Sequence, residues 1–259
     1  MELPIFQVDA FTDRVFRGNP AAVVLLPQAV KDSLLQAVAA ENNLSETAFI
    51  LETSDGFDLR WFTPVSEVDL CGHATLAAAH VLFSRGRVRG ERVHFLTRSG
   101  RLSVERTGER YTLDFPSRPP RPADVTAELV EALGAQPSEA HEARDLMAVF
   151  QTEAEVAELR PDFEKIRRSG VFAIIATAAG DSVDFVSRFF APGVGVPEDP
   201  VTGSAHCTLT PYWAKRLGKS TLRARQISSR GGELICQDAG ERVRITGAAV
   251  DYLSGVIFC

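Results

Sequence analysis

Two stretches of this chain repeat one another at a fixed spacing, and any fold proposed for it has to contain the repeat. Arg98, Gly100, Leu102, Val104, Gly108, Glu109, Arg110 and Leu113 recur as Arg230, Gly232, Leu234, Cys236, Gly240, Glu241, Arg242 and Ile245, each pair 132 positions apart. Upstream, Phe57, Arg60, Phe62 and Pro64 parallel Phe185, Arg188, Phe190 and Pro192 at an offset of 128, and between these blocks Cys71–Thr75 meets Thr202–His206 at 131. Three blocks in the same order indicate a duplication. At 259 residues the chain is long for one hydrophobic core and comfortable for two domains.

Each copy reads alike. An alternating strand (Phe57 to Phe62; Phe185 to Phe190) ends at a proline, and a short acidic loop leads to a helix that starts on a glycine. The helices from Gly72 and Gly203 are stopped by Gly86 and Gly218, and both are apolar around most of their circumference, which predicts burial on nearly all sides. Pro211 predicts a kink in the second. A hairpin turning at Gly108-Glu109-Arg110 or Gly240-Glu241-Arg242 follows each helix. Elsewhere Ile5 to Ala10 and Ala21 to Leu26 read as strands, Asp32 to Ala40 as a helix with an Asp cap, and Glu153 to Arg168 as helix interrupted at Pro161. The Pro-rich run 116–122 reads as a linker. The expected fold is α+β: two pseudo-symmetric domains, each a mixed sheet wrapped around a central buried helix. The expected domains are 1–115 and 123–249.

Composition narrows the partners. Lys and Arg number 28 against 34 Asp and Glu, a net charge of -6, which argues against a nucleic-acid binder. The longest purely apolar runs, such as Ala21–Leu26, are far too short to cross a bilayer. No Lys or Arg precedes Arg14, so no basic start of a secretory signal is present and a cytoplasmic location is expected. Cys71, Cys207, Cys236 and Cys259 lack CxxC spacing, so they are expected to be reduced, mostly buried thiols and not zinc ligands. No P-loop, GxGxxG or HExxH pattern occurs, and neither a metal nor another cofactor is expected.

The chemistry is expected in a cleft between the two domains, where both glycine-started helices aim unpaired N–H groups and a positive dipole end at a shared ligand. Such a pair suits a carboxylated substrate and an enolate-like charge formed from it. His73 and Ser204 each lie one residue past those glycines. Asp199, four residues before Gly203, fits a catalytic role or a turn role ahead of Pro200. His73 equally fits a hydrogen-bonded core histidine. Glu46 lies where a polar loop enters an apolar strand, a place that is expensive for a carboxylate unless it is paired or open to a cleft. The other reading for Glu46 is a loop glutamate facing water. His80, His94, His141 and His206 have no ligand-type spacing and are read as structural.

The blocks Gly18–Val23, Ser45–Phe49, Asp69–Thr75 and Glu198–His206 resemble the signatures of the PhzF-like, phenazine biosynthesis-like isomerase family over essentially the whole chain. The resemblance implies the diaminopimelate epimerase fold, a final segment from about 250 to 259 that completes the first domain's sheet, and a homodimer. It implies a cofactor-independent isomerase that moves a proton within a small carboxylate. The family's catalytic glutamate matches Glu46, its histidine, aspartate and serine match His73, Asp199 and Ser204, and its backbone glycines match Gly72 and Gly203. Ser45 joins the substrate-binding set through the same block. Two rivals stand beside this reading: a two-thiol amino-acid racemase or epimerase, and a silent small-anion-binding protein. The racemase needs cysteines beside both helix starts, but Thr202 is the counterpart of Cys71.

Overall fold

Short apolar runs punctuated by Gly and Pro become strands throughout the chain. The computed structural model describes residues 1–259. The chain divides into two units, Met1–Asp114 with Thr246–Cys259, and Phe115–Ile245. Each is a mixed sheet carrying helices, so the fold is sheet-dominated α+β. No helix is long and apolar enough to cross a membrane.

The first unit runs β1 (Glu2–Ala10), β2 (Asn19–Leu26), α1 (Asp32–Asn42), β3 (Glu46–Thr53), β4 (Gly56–Phe62), β5 (Glu67–Val68), α2 (Gly72–Ser84), β6 (Arg92–Thr97), β7 (Gly100–Thr107) and β8 (Arg110–Pro116). β2 and β3 are parallel, β3 and β4 antiparallel, β4 and β6 parallel, and β6 and β7 antiparallel. Alternate residues of a strand face opposite sides of its sheet. Leu3, Ile5, Ala22, Val24 and Phe49 therefore pack with Leu35, Val38 and Ala39 of α1, while α2 packs on β1, β2, β3 and β7. Ten of the thirteen residues of α2 are buried.

The second unit runs β9 (Arg121–Ala123), α3 (Ala127–Leu133), β10 (Glu139–Glu142), β11 (Leu146–Val149), α4 (Glu153–Glu158), α5 (Phe163–Arg168), β12 (Ile174–Ala179), β13 (Phe185–Ala191), β14 (Val196–Asp199), α6 (Gly203–Leu217), β15 (Thr221–Gln226), β16 (Gly232–Ala239) and the start of β17 (Arg242–Phe258), whose residues from Thr246 onward belong to the first unit. Its pairings follow the first unit's order: β11 parallel to β12, β12 antiparallel to β13, β13 parallel to β15, and β15 antiparallel to β16. Leu129, Leu133, Val156 and Ile166 from α3, α4 and α5 pack on Ile174, Ala176, Val186 and Phe190. Trp213 of α6 stacks on Phe185 at 5.8 Å and donates its indole N–H to Thr177 Oγ1 at 3.0 Å.

Four local expectations are corrected or refined. The run 116–122 is not free linker: Arg121 and Pro122 belong to β9, which pairs antiparallel with β10. The return strand begins at Arg242 rather than near 250, and its stretch from Ala249 to Phe258 pairs with β1. Asp32 does not cap α1; Lys31 holds the cap position without a side-chain bond, and Asp32 instead pairs with Arg60 at 2.7 Å. Helix α6 runs through Pro211, which has no N–H to give the Cys207 carbonyl four residues back. Arg118 N–H donates to that carbonyl at 2.9 Å, so the lost helix bond is replaced from outside the helix.

Candidate active site

At the start of α2 the backbone N–H groups of the first turn have no side-chain cap: Cys71 holds the cap position in extended conformation and makes no capping bond. The first turn carries His73, and β3 begins at Glu46. These elements bring Glu46 Oε2 within 3.1 Å of His73 Nε2, with side-chain exposures of 17% and 7%. The contact is an ion pair rather than an aligned hydrogen bond. Asn19, the first residue of β2, places its Nδ2 3.2 Å from His73 Nδ1. The Cys71 Sγ lies 3.5 Å from the same nitrogen. The result is a half-buried carboxylate, a buried imidazole and a buried thiol around one helix tip.

Burial opposes a charge on His73, but its anionic-side neighbours outweigh this and hold the imidazole well above its ordinary value of 6.5. The Cys71 sulfur and the Glu46 carboxylate set that direction. Burial, reinforced by the Glu46 carboxylate, pushes the Cys71 thiol up. The buried imidazole fixes the orientation of a carboxylate that is open on one side. Ser45 is the half-buried residue immediately before β3.

The second unit builds its helix tip from different atoms. Thr202 holds the cap position of α6 without capping it; its hydroxyl donates instead to Asp199 Oδ2. Gln226, fully buried at the end of β15, accepts from Thr202 N–H at 2.8 Å and donates to the Asp199 carbonyl at 2.7 Å. Ser228 donates to the Pro200 carbonyl at 2.8 Å. The loop that carries Asp199 is thereby tied down on both sides of its proline. Ser204 lies on the first turn, and Arg144 Nη2 donates to its hydroxyl at 3.2 Å. Arg144 itself is held by a two-pronged bond to buried Asp145 at 2.7 and 2.8 Å and by the face of Phe172. His206 is a core histidine: Nδ1 lies 2.8 Å from the Thr202 carbonyl, and burial lowers it to about 4.

The structure thus brings Glu46 and His73 together, and it gathers Asp199, Thr202, Gly203 and Ser204 around the start of α6. Sequence reasoning missed Asn19, Gln226 and Arg144 as positioning residues. Asn19 lay inside the Gly18–Val23 block, so its signal was available. Gln226 and Arg144 carry no motif at all, because Gln226 reaches its partners through strand register and Arg144 from the bend between β10 and β11.

Residues 8–255 match the PhzC-PhzF family, described as phenazine biosynthesis-like protein. The chain is 52% identical over 258 residues to an uncharacterized isomerase of Pseudomonas aeruginosa, covering 99% of both chains. Among solved structures, a PhzF family phenazine biosynthesis protein of Enterococcus faecalis superposes with a TM-score of 0.98 at 47% identity and complete coverage of both chains. A predicted epimerase of Pseudomonas aeruginosa, with a TM-score of 0.74 at 20% identity and 99% coverage of both chains, shares the fold. With the family model spanning nearly its whole length, this chain belongs to the PhzC-PhzF family of phenazine biosynthesis-like proteins.

Proposed function

We propose that this protein is an isomerase that moves a proton within a small carboxylate substrate, with Glu46 as the general acid and base and with no cofactor. The observation that carries the reading is the half-buried Glu46 carboxylate held 3.1 Å from the buried His73 imidazole at the start of α2. Glu46 takes a proton from the carbon next to a carbonyl or carboxyl group, and the C–H electron pair moves into that group as an enolate. The uncapped N–H groups at Gly72 and His73 stabilise the developing negative charge. Glu46 then returns the proton to another carbon, so the double bond moves and no electrons are lost or gained. Asp199, Gly203 and Ser204 are assigned to substrate handling, and the pseudo-symmetric duplication behind the two matching pairing orders is part of the same proposal. The isomerase names of the relatives and the likeness to an epimerase support the reaction class.

The two-thiol racemase is disfavoured by the site itself. Thr202 stands opposite Cys71 in the repeat, and Cys207 is buried and raised to about 11 by that burial. The test is proton exchange into enolisable cyclic or amino carboxylates in heavy water. Glu46→Gln should lower exchange about 10²–10⁴-fold while the fold is kept. An active Glu46→Gln protein that is killed by thiol alkylation would hand the assignment to the racemase. A wild-type protein that binds the panel but exchanges nothing would hand it to the anion binder.

A further inference from the structure

The three side chains at the α2 tip have a second chemical capacity. The ligand-type atoms of Glu46, Cys71 and His73 all lie within 4.8 Å of one another. His73 Nε2 faces both other donors, at 3.1 Å from Glu46 Oε2 and 4.0 Å from Cys71 Sγ. A tetrahedral ion with bonds of about 2.0–2.3 Å to oxygen, nitrogen and sulfur separates its ligand atoms by roughly 3.3–3.6 Å. The 4.0 Å distance and the 4.8 Å limit exceed that separation, so rotation of the Cys71 and Glu46 side chains by about an ångström brings the three atoms onto one ion. We propose that Glu46, Cys71 and His73 form a binding site for a borderline-soft divalent cation of the Zn²⁺ type, bound through carboxylate oxygen, thiolate sulfur and imidazole Nε2.

The donor set chooses the ion. One thiolate and one imidazole favour Zn²⁺ or Co²⁺ over Mg²⁺ and Ca²⁺, which take oxygen ligands. Binding displaces the thiol proton of Cys71 and the Nε2 proton of His73 to solvent and leaves Nδ1 carrying the remaining ring proton. Asn19, 3.2 Å from Nδ1, then serves as the outer partner by turning its amide so that the oxygen accepts that proton. Three protein ligands leave a fourth position for water or a substrate carboxylate. Because the ion occupies the carboxylate, its binding blocks proton transfer. This last consequence rests on the acid–base role proposed for Glu46; the binding itself does not.

The probe is Co²⁺, titrated into the full chain carrying Cys259→Ser, which removes the exposed thiol. Saturation should bring a thiolate-to-cobalt charge-transfer band and visible ligand-field bands of four-coordinate intensity, both erased by stoichiometric Zn²⁺. Cys71→Ser should lose the charge-transfer band. His73→Gln should weaken Co²⁺ binding about tenfold or more, and Asn19→Ala about ten- to a hundredfold. The proposal is overturned if the parent shows no charge-transfer band, or if the band survives in Cys71→Ser. Should Cys71→Ser fail to fold, unchanged Co²⁺ affinity in a folded His73→Gln protein overturns it instead. Zn²⁺ should suppress heavy-water exchange in proportion to occupancy. Exchange that persists with the site filled strikes at the role of Glu46 and not at the metal site, whereas a missing cobalt band with an inactive Glu46→Gln strikes only at the metal site.

Discussion

The two glycine-started helices share a backbone plan and differ in what surrounds their tips. At the start of α2 the cap residue is Cys71, followed by Gly72 and His73; at α6 it is Thr202, followed by Gly203 and Ser204. Neither cap residue makes a side-chain capping bond. The strand that feeds each tip makes the difference. Thr47 pairs with Phe62 in the first unit, and Ile174 pairs with Phe190 in the second, so the position of Glu46 is taken by fully buried Ala173. The first unit sets a carboxylate against an imidazole. The second has hydroxyls and a braced loop. On the proposed reaction, this difference assigns proton transfer to the first tip and substrate handling to the second.

The largest test of that division is Glu46→Gln, which should cost turnover about 3–5 kcal/mol in the transition state, read as the fall in heavy-water exchange. The matching lesion on the other tip, Asp199→Asn, should raise KM or the ligand dissociation constant more than it lowers kcat. Equal losses of kcat at both positions would break the division.

A second test uses acid. Unfolded His206 titrates near its ordinary value of 6.5, while the folded residue stays neutral down to about 4 because burial disfavours its charge. Between those values the unfolded chain binds the extra proton, so stability is fully present above about 6.5 and declines as pH falls toward 4. The loss is about 3 kcal/mol over that interval. Urea midpoints from pH 7 to 4 should show it, and His206→Gln should flatten the slope. His73, raised instead of lowered, contributes with the opposite sign: its stabilisation is present below 6.5 and is lost as pH rises through its folded value.

Gln226→Leu should cost about 2 kcal/mol, since it orphans the Thr202 N–H and the Asp199 carbonyl in a buried place. Chemical denaturation measures it, and a matching rise in KM shows that the loop is part of the site. The smallest effect is expected from Ser204→Ala, about 1 kcal/mol of ligand affinity with kcat nearly kept. A kcat collapse there would move Ser204 into the chemical step.

How much was legible differs residue by residue. The repeated sequence blocks, the strand–loop–helix order and the interruption between α4 and α5 near Pro161 were written as local patterns, and a pattern of period two or a Pro is visible without coordinates. The Glu46–His73 pair was legible only as two motif residues 27 positions apart in the chain. Helix α1 was misread at its start because Asp32 satisfies a capping rule locally but finds a guanidinium 28 positions away. The Pro-rich run was misread at its end for a similar reason: Pro122 sits in β9, a three-residue strand paired antiparallel with β10.

The sequence by itself determined the element types, the repeated order and the residue types available at each helix start, because propensity and periodicity act over a few neighbouring positions. Only tertiary structure decided that Asn19 backs His73, that Cys71 stands beside the same imidazole, that Gln226 braces the loop of Asp199 and that Arg118 serves the carbonyl Pro211 leaves open. Those contacts depend on the register between strands and on the helix resting over them. Register is set by the sum of many weak packing choices, and no single stretch of chain records it.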